Sequence, residues 1–93
     1  MPKKVPYLLP SELTAYHVTA VHAELTKAVK AKRVVDASAV TQVDTLGCQL
    51  MVSLGHSLKA LKQPELLQNM SAPLVAALTE LGLHTFFEEE LAG

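Results

Sequence analysis

A stripe of leucines is the feature that most limits how this chain can fold. Leucines recur at steps of three or four residues along one segment, as Leu46, Leu50, Leu54, Leu58 and Leu61. This spacing places them on one face of an α-helix, and that face must be buried against a sheet. The opposite face is polar and carries Gln49, Ser53, His56, Ser57 and Lys59. We expect this helix to end before Pro64, because the residue preceding a proline disfavours helical backbone angles.

Two further helices are predicted on either side of the leucine-striped helix. Residues 12–32 contain no Gly or Pro, and their apolar residues repeat at helical spacing, as Val18, Val21, Leu25, Ala28 and Val29. We expect the first helix to begin directly after Ser11, which would act as its N-cap. A third helix should begin after Ser71 as N-cap and end at Gly82, a residue suited to the left-handed position after a helix.

Short apolar segments between the helices predict strands. Residues 5–9 are bounded by two prolines and are expected at a sheet edge, because proline cannot donate to a strand ladder. Residues 34–37 form the candidate central strand, and residues 65–70 and 84–87 form two weaker candidates. Because strands and helices alternate, the sequence predicts a small α/β domain with a mainly parallel sheet.

Length and charge narrow the class of protein. With 93 residues and 49% hydrophobic content, the chain suits one domain over residues 1–93, with residues 1–4 and 88–93 as frayed ends. The net charge of -1 provides no basic field for nucleic acid or anionic lipid. No run approaches the roughly 18 apolar residues of a membrane span, and the single Cys48 agrees with a reducing compartment. We therefore expect a cytoplasmic protein with no nucleic-acid partner and no membrane insertion.

The junction before the leucine-striped helix contains the side chains that are most suited to chemistry or to ligand binding. Residues 40–47 place an acid, a hydroxyl and a glycine together as Asp44, Thr45 and Gly47. We expect the Asp44 carboxylate to cap the helix by accepting from the N–H of Leu46 or Gly47. A hydroxyl at a helix start lies beside unpaired backbone N–H groups, which favour an anion at that position. Thr45 is therefore either a phosphate acceptor or part of a structural cap.

Other reactive side chains do not form a catalytic or metal-binding pattern. His17 and His22 lie about 140 degrees apart around a helix, which does not suit a shared metal, and His56 and His84 lie far along the chain. Cys48 lies in a first helical turn, where the dipole can lower a thiol pKa, although a packed cysteine is the simpler interpretation. There is no Gly-rich phosphate loop and no nucleophile elbow. The sequence therefore predicts a non-enzymatic protein without a metal or cofactor.

Three segments resemble the STAS family, the domain of bacterial anti-sigma factor antagonists. Residues 33–47, with the leucine-striped helix after them, resemble the family's signature. Residues 9–14 resemble the segment that leads into its first helix, and residues 78–83 the leucine and glycine end of its third helix. The resemblance covers residues 7–87. It implies a mixed sheet with helices packed on one side and no catalytic chemistry.

The resemblance also implies functional residues. In anti-sigma factor antagonists a partner kinase phosphorylates the serine or threonine that follows the motif's aspartate, and that position here is Thr45. The aspartate corresponds to Asp44 and the glycine to Gly47, whereas Leu46 stands where many relatives have a second serine and indicates an apolar contact surface. The partner-binding surface of relatives corresponds here to Leu46, Gln49, Val52, Ser53 and His56.

One departure from the family pattern concerns the N-terminus. Relatives usually begin with a two-stranded hairpin, whereas only about ten residues precede the predicted first helix, which leaves room for one strand. The hairpin is therefore expected to be shortened and the sheet to lack one strand. An unpaired edge favours pairing between chains, so we expect a homodimer.

These features predict a protein-interaction module whose partner binding is switched by phosphorylation at Thr45. The expected partner is an anti-sigma factor or a similar serine kinase. Small free-standing STAS proteins with an Asp-Thr motif also resemble the accessory subunit of a phospholipid-trafficking ABC transporter, which contacts an ABC ATPase and needs no kinase. An adaptor in a chemotaxis or two-component pathway is a third alternative.

Overall fold

A computed structural model describes residues 5–87 of the chain. In order, its elements are β1 (Tyr7–Leu8), β2 (Glu12–Leu13), α1 (Val18–Lys30), β3 (Val35–Asp36), β4 (Gln42–Val43), α2 (Thr45–Ala60), a 3-10 turn (Pro64–Leu66), β5 (Leu67–Gln68) and α3 (Ala72–Glu80). Residues 84–87 form further helical turns after α3. The predicted frayed ends, residues 1–4 and 88–93, lie outside the described residues.

All strand pairings among residues 5–87 are parallel. Strand β3 lies between β1 and β5 in a three-stranded sheet, with Val35 opposite both Tyr7 and Leu67. Strands β2 and β4 form a second sheet of two strands. Parallel strands need a crossover connection, and α1 and α2 supply the crossovers between the strands of the larger sheet. The prediction of a small α/β domain with a mainly parallel sheet is confirmed, with β3 as a central strand and β1 at an edge.

The first helix begins later than predicted. Ser11 is not its N-cap, because α1 starts at Val18 and the residue in the N-cap position, His17, makes no side-chain capping bond. The carbonyl of Ser11 instead accepts a backbone hydrogen bond from Thr41 at 2.8 Å, and residues 12–13 form β2. Two short strands therefore precede α1 where one was expected. They pair with β3 and β4 and not with each other, so they do not form a hairpin.

The segment after α3 is also different from the prediction. Residues 84–87 are helical and do not form a final strand. The ring of Phe86 packs against the imidazole of His56 on α2, with 4.8 Å between ring centroids, and Phe87 packs edge-on against Phe86 at 5.1 Å. Phe87 belongs to the core. Helical turns bring both rings onto the rest of the molecule within a short segment, which an extended strand with alternating sides does not do.

A residue in the left-handed backbone conformation follows each of the helices α1, α2 and α3. Gly82 takes this position after α3 with φ of 72 degrees, as predicted, and Lys32 and Lys62 take it after α1 and α2 with φ of 57 and 59 degrees. In each case the backbone N–H of the following residue donates a hydrogen bond to a carbonyl of the last helical turn, as the N–H of Leu83 does to the carbonyl of Leu78 at 2.8 Å. A side chain in this conformation costs about 1–2 kcal/mol. A positive charge at a helix C-terminus recovers about 0.3–1 kcal/mol of that.

The core is formed by the inner faces of the helices and by the strands. Its apolar side chains include Val21, Leu25 and Ala28 from α1, Leu50, Met51, Leu54 and Leu58 from α2, and Leu74 and Leu78 from α3. The leucine stripe of α2 is therefore confirmed in its middle, but Leu46 and Leu61 at its ends are 47% and 44% exposed. The reason is length: 16 residues of helix extend about 24 Å, whereas the strands of both sheets have two residues each. No helix within residues 5–87 is long and apolar enough to span a membrane.

Candidate functional site

The start of α2 is held in place by Asp44. Its Oδ1 accepts a hydrogen bond from the N–H of Gly47 at 2.9 Å, which is the predicted N-cap. Its Oδ2 accepts from the N–H of Ala15 at 2.8 Å, in the segment between β2 and α1. The hydrogen bonds from Gly47 and, next, from Ala15 hold the pKa of Asp44 below its ordinary value. The side chain of Asp44 is thus a charged carboxylate, and each of its two oxygens accepts a hydrogen bond from a backbone N–H.

Gly47 allows α2 to lie directly on strand β2. A Cβ atom at this position would overlap the backbone carbonyl oxygen of Leu13 and would lie 2.8 Å from a methyl carbon of Val43. The clash with Leu13 is with backbone, which cannot move aside as the end of a flexible side chain can. Glycine is therefore required here for close approach, and this packing role is sufficient to explain the glycine of the motif.

Thr45 is the first residue of α2, and its side chain faces solvent. Within residues 5–87 its hydroxyl makes no hydrogen bond, because Asp44 supplies the side-chain cap of this helix. The hydroxyl is therefore open to a modifying enzyme, and it lies at the positive end of a helix dipole, directly beside the negative charge of Asp44.

A shallow apolar depression lies beside Thr45. Its lining is formed by Thr45, Gln49 and Val52 from α2 and by Leu81 and Leu83 from the segment after α3, and its volume is about 320 Å³. Leu81 is 46% exposed. The depression combines one hydroxyl and one amide with three aliphatic side chains, a composition suited to an apolar contact that has a polar margin.

His56 extends this surface along α2. The positions of Thr45, Gln49, Val52 and His56 follow the spacing of one helical face. His56 is exposed on one side and packs against Phe86 on the other. We call the surface formed by Thr45, Gln49, Val52, His56, Leu81 and Leu83 the α2–α3 surface.

The structure does not place all of the predicted partner-binding residues on this surface. Ser53 lies on another face of α2, where it lines a groove between α1 and α2. Leu46 is exposed in the first turn, one residue after Thr45, and does not line the depression. The predicted set of residues is therefore divided between two faces of α2, with Gln49, Val52 and His56 near Thr45.

Sequence reasoning missed the contributions that come from distant parts of the chain. Leu81 and Leu83 line the depression from the segment after α3. The backbone N–H of Ala15, in the loop before α1, donates a hydrogen bond to the Asp44 carboxylate. The only local signal for β2 is the Pro10-Ser11 pair, which is equally typical of a helix start.

The thiol of Cys48 is packed in the core. Cys48 is 1% exposed, and burial, followed by the nearby charge of Asp44, raises the pKa of its thiol. The packed cysteine is the interpretation that the structure supports, since a raised pKa disfavours the nucleophilic thiolate. In the part of the chain that the structure describes, no three His, Cys, Asp or Glu side chains converge in a way that could hold a metal ion.

Comparisons with known proteins give no further identification. The chain has no significant match to a protein-family model, to a curated protein or to a solved structure. The small, mainly parallel α/β fold is established by the structure, and membership of the STAS family stays a prediction from the three segments that resemble it.

Proposed function

We propose that this chain is a non-enzymatic interaction domain of the STAS type, whose protein partner binds the α2–α3 surface and is released when Thr45 is phosphorylated. The observation that carries the proposal is the exposed hydroxyl of Thr45, which lines an apolar depression and makes no hydrogen bond within residues 5–87. The STAS type adds the finer expectation that the helices cover one side of the sheet. A cytoplasmic location follows from the proposed kinase, which needs ATP.

Phosphorylation is expected to leave the fold of the domain unchanged. A phosphate on Thr45 would add about -1.5 to -2 charges at the start of α2. The helix dipole would stabilise this charge by about 0.3–1 kcal/mol, whereas the neighbouring Asp44 carboxylate would repel it. Asp44 keeps its hydrogen bonds to Gly47 and Ala15, so the helix start needs no second cap. The local effects of the phosphate therefore nearly offset each other.

The larger effect would fall on a bound partner. A partner that covers Val52, Leu81 and Leu83 would exclude water from the rim of the depression, where Thr45 lies. Burying an unpaired phosphate there costs several kcal/mol in lost hydration. Each 1.4 kcal/mol is a factor of about ten in affinity, so the phosphorylated domain would bind at least 100-fold more weakly.

A constitutive contact is the second candidate function. Leu46 is 47% exposed beside Thr45, and the depression is largely apolar. Permanent interfaces are more hydrophobic than transient ones, which favours a fixed accessory subunit, such as the one that contacts an ABC ATPase. In this function Thr45 is a contact residue and carries no phosphate.

Affinity capture from the native host with mass spectrometry distinguishes the two functions. The proposed switch predicts an anti-sigma factor or a serine-kinase-like protein on the unmodified domain, and phosphorylated Thr45 only in the unbound fraction. Thr45→Ala should remove the phosphate signal. Thr19→Ala, at an exposed threonine of α1, is its control and should leave the phosphate signal intact. An ABC ATPase that co-purifies with unmodified protein would overturn the switch in favour of the constitutive subunit.

A further inference from the structure

A groove runs between α1 and α2, on a different face of α2 from the α2–α3 surface. Its apolar part is formed by Leu25 and Val29 from α1 and by Leu50 and Leu54 from α2, and its volume is about 210 Å³. The polar side chains that line it are His22, Thr26 and Lys30 on α1 and Ser53 and Ser57 on α2. The three leucines are buried at its floor, and Val29 is half-buried.

The groove continues to the C-terminal ends of both helices. A second depression of about 370 Å³ shares Val29, Lys30 and Ser57 with the first and extends to Lys32, Ala60 and Leu61. Leu61 is 44% exposed at this end. We call the two joined depressions the α1–α2 groove.

The charge of the α1–α2 groove has one sign. Lys30 and Lys32 line it, and no Asp or Glu lines it among the residues that the structure describes. Lys62 follows the lining residue Leu61 directly in the chain and adds a positive charge next to it.

We propose that the α1–α2 groove binds an acidic amphipathic helix of a protein partner. Leucine-like side chains at spacings of three and four residues would pack on Val29 and Leu61. Carboxylates on the flank of the same helix would pair with Lys30 and Lys32. A helix suits the groove better than a membrane does, because recognition of anionic lipid takes a cluster of about four to eight basic residues. Nucleic acid is a poorer occupant, since the net charge of -1 gives no extended positive field.

This binding site is independent of the proposed switch. It lies on another face of α2, and none of its lining residues belongs to the α2–α3 surface. Phosphorylation of Thr45 is therefore expected to leave binding at the groove unchanged, and a failure of either proposal leaves the other standing.

The test is fluorescence anisotropy of the full chain with a labelled synthetic peptide of about five helical turns, with leucines on one face and glutamates on the other. We expect saturable binding that Lys30→Glu weakens at least about tenfold, because the change replaces an attraction with a repulsion. Lys27→Glu is the matched control, since Lys27 lies on the same helix, pairs with Glu24 at 3.9 Å and does not line the groove. Its effect should stay within about twofold.

A second variant tests the shape of the groove without a change of charge. Ser57→Trp, at an exposed position where both depressions meet, should also abolish binding while circular dichroism retains the helical signal. Equal affinity for the Lys30→Glu and Lys27→Glu variants would overturn the proposal, and so would the absence of binding by the unaltered chain. If anionic vesicles bind in a way that depends on Lys30 and the peptide does not bind, the groove is a lipid site. If the chain self-associates and Ser57→Trp abolishes this, the groove binds a second copy of the chain. Either result overturns the proposal.

Discussion

The carboxylate of Asp44 accepts a hydrogen bond from the backbone N–H of Ala15 across 29 positions of the chain, at 2.8 Å. Its other oxygen caps α2 at Gly47. One side chain thereby fixes the start of α2 to the loop between β2 and α1. The hydroxyl of the next residue, Thr45, is exposed and makes no hydrogen bond within residues 5–87.

Replacement of Asp44 by alanine should reduce the dependence of stability on acid pH. The pKa of Asp44 is lowered in the folded state by the hydrogen bonds from Gly47 and Ala15. Its charged form therefore stabilises the fold fully above the unfolded pKa of about 3.9, and this contribution is lost as the pH falls through the lower folded pKa. Urea unfolding between about pH 2 and pH 7 should show a smaller loss of stability on acidification for Asp44→Ala than for the unaltered chain.

The control for the Asp44 experiment is Asp36. The pKa of Asp36 is also lowered, first by its hydrogen bonds with Ser38, so a residual slope is expected in the Asp44→Ala variant. Asp36→Ala should leave the contribution of Asp44 in place. Identical acid profiles for Asp44→Ala and the unaltered chain would show that the cap and the bond to Ala15 do not stabilise the fold.

Gly47→Ala should destabilise the protein much more than Gly82→Ala. A methyl group at position 47 overlaps the backbone of Leu13, so α2 or β2 must move, and the free energy of unfolding should fall by about 3 kcal/mol, the upper part of the range for overpacking. A methyl group at position 82 meets nothing within 4 Å, and only its φ of 72 degrees is unfavourable, which costs about 1–2 kcal/mol. Chemical denaturation measures both values. A smaller loss for Gly47→Ala than for Gly82→Ala would mean that α2 does not lie directly on β2.

Leu58→Ala and Leu61→Ala compare two members of the same leucine stripe. Leu58 is fully buried, so its truncation should cost about 2–5 kcal/mol of unfolding free energy. Leu61 is 44% exposed, and the same change there should cost less than about 1 kcal/mol. Similar losses in thermal or urea unfolding would place Leu61 in the core and would also remove it from the α1–α2 groove.

Cys48 should be unreactive in the folded protein. Burial raises the pKa of its thiol and blocks access, so a thiol reagent at about pH 8 should label the native chain at least tenfold more slowly than the urea-unfolded chain. Ala in place of Cys48 provides the zero-labelling control. Equal labelling rates in the two states would indicate that the first turn of α2 opens readily.

Much of the fold follows from periodicity and capping in the sequence. The buried faces of α1 and α2 were predicted from the spacing of apolar residues, and the caps at Asp44 and Ser71 from their side-chain oxygens. Strands β2 and β4 could not be predicted in this way, because neither lies in an apolar run and each is held by pairing with a distant segment. Periodicity also identifies the buried face of a helix but not how far the core extends along it, which is why both ends of the leucine stripe are exposed.

The candidate site was predictable where it is local. The positions of Asp44, Thr45 and Gly47 depend on one helix start, and sequence reasoning found all three. The depression beside Thr45 depends on how the end of α3 meets α2, which places Leu81 and Leu83 there. Such tertiary contacts have no signature in the spacing of the residues that make them.

The most direct test of the proposed switch is the affinity of the captured partner for Thr45 variants, measured by isothermal titration calorimetry. Thr45→Gln is the uncharged control for Thr45→Glu, since these two substituted side chains have nearly the same size, and Thr45→Ala removes the hydroxyl together with the methyl group beside it. We predict that Thr45→Glu weakens binding at least about tenfold, whereas Thr45→Gln and Thr45→Ala stay within about threefold of the unaltered domain. Equal partner affinity for Thr45→Glu and Thr45→Ala would contradict the account.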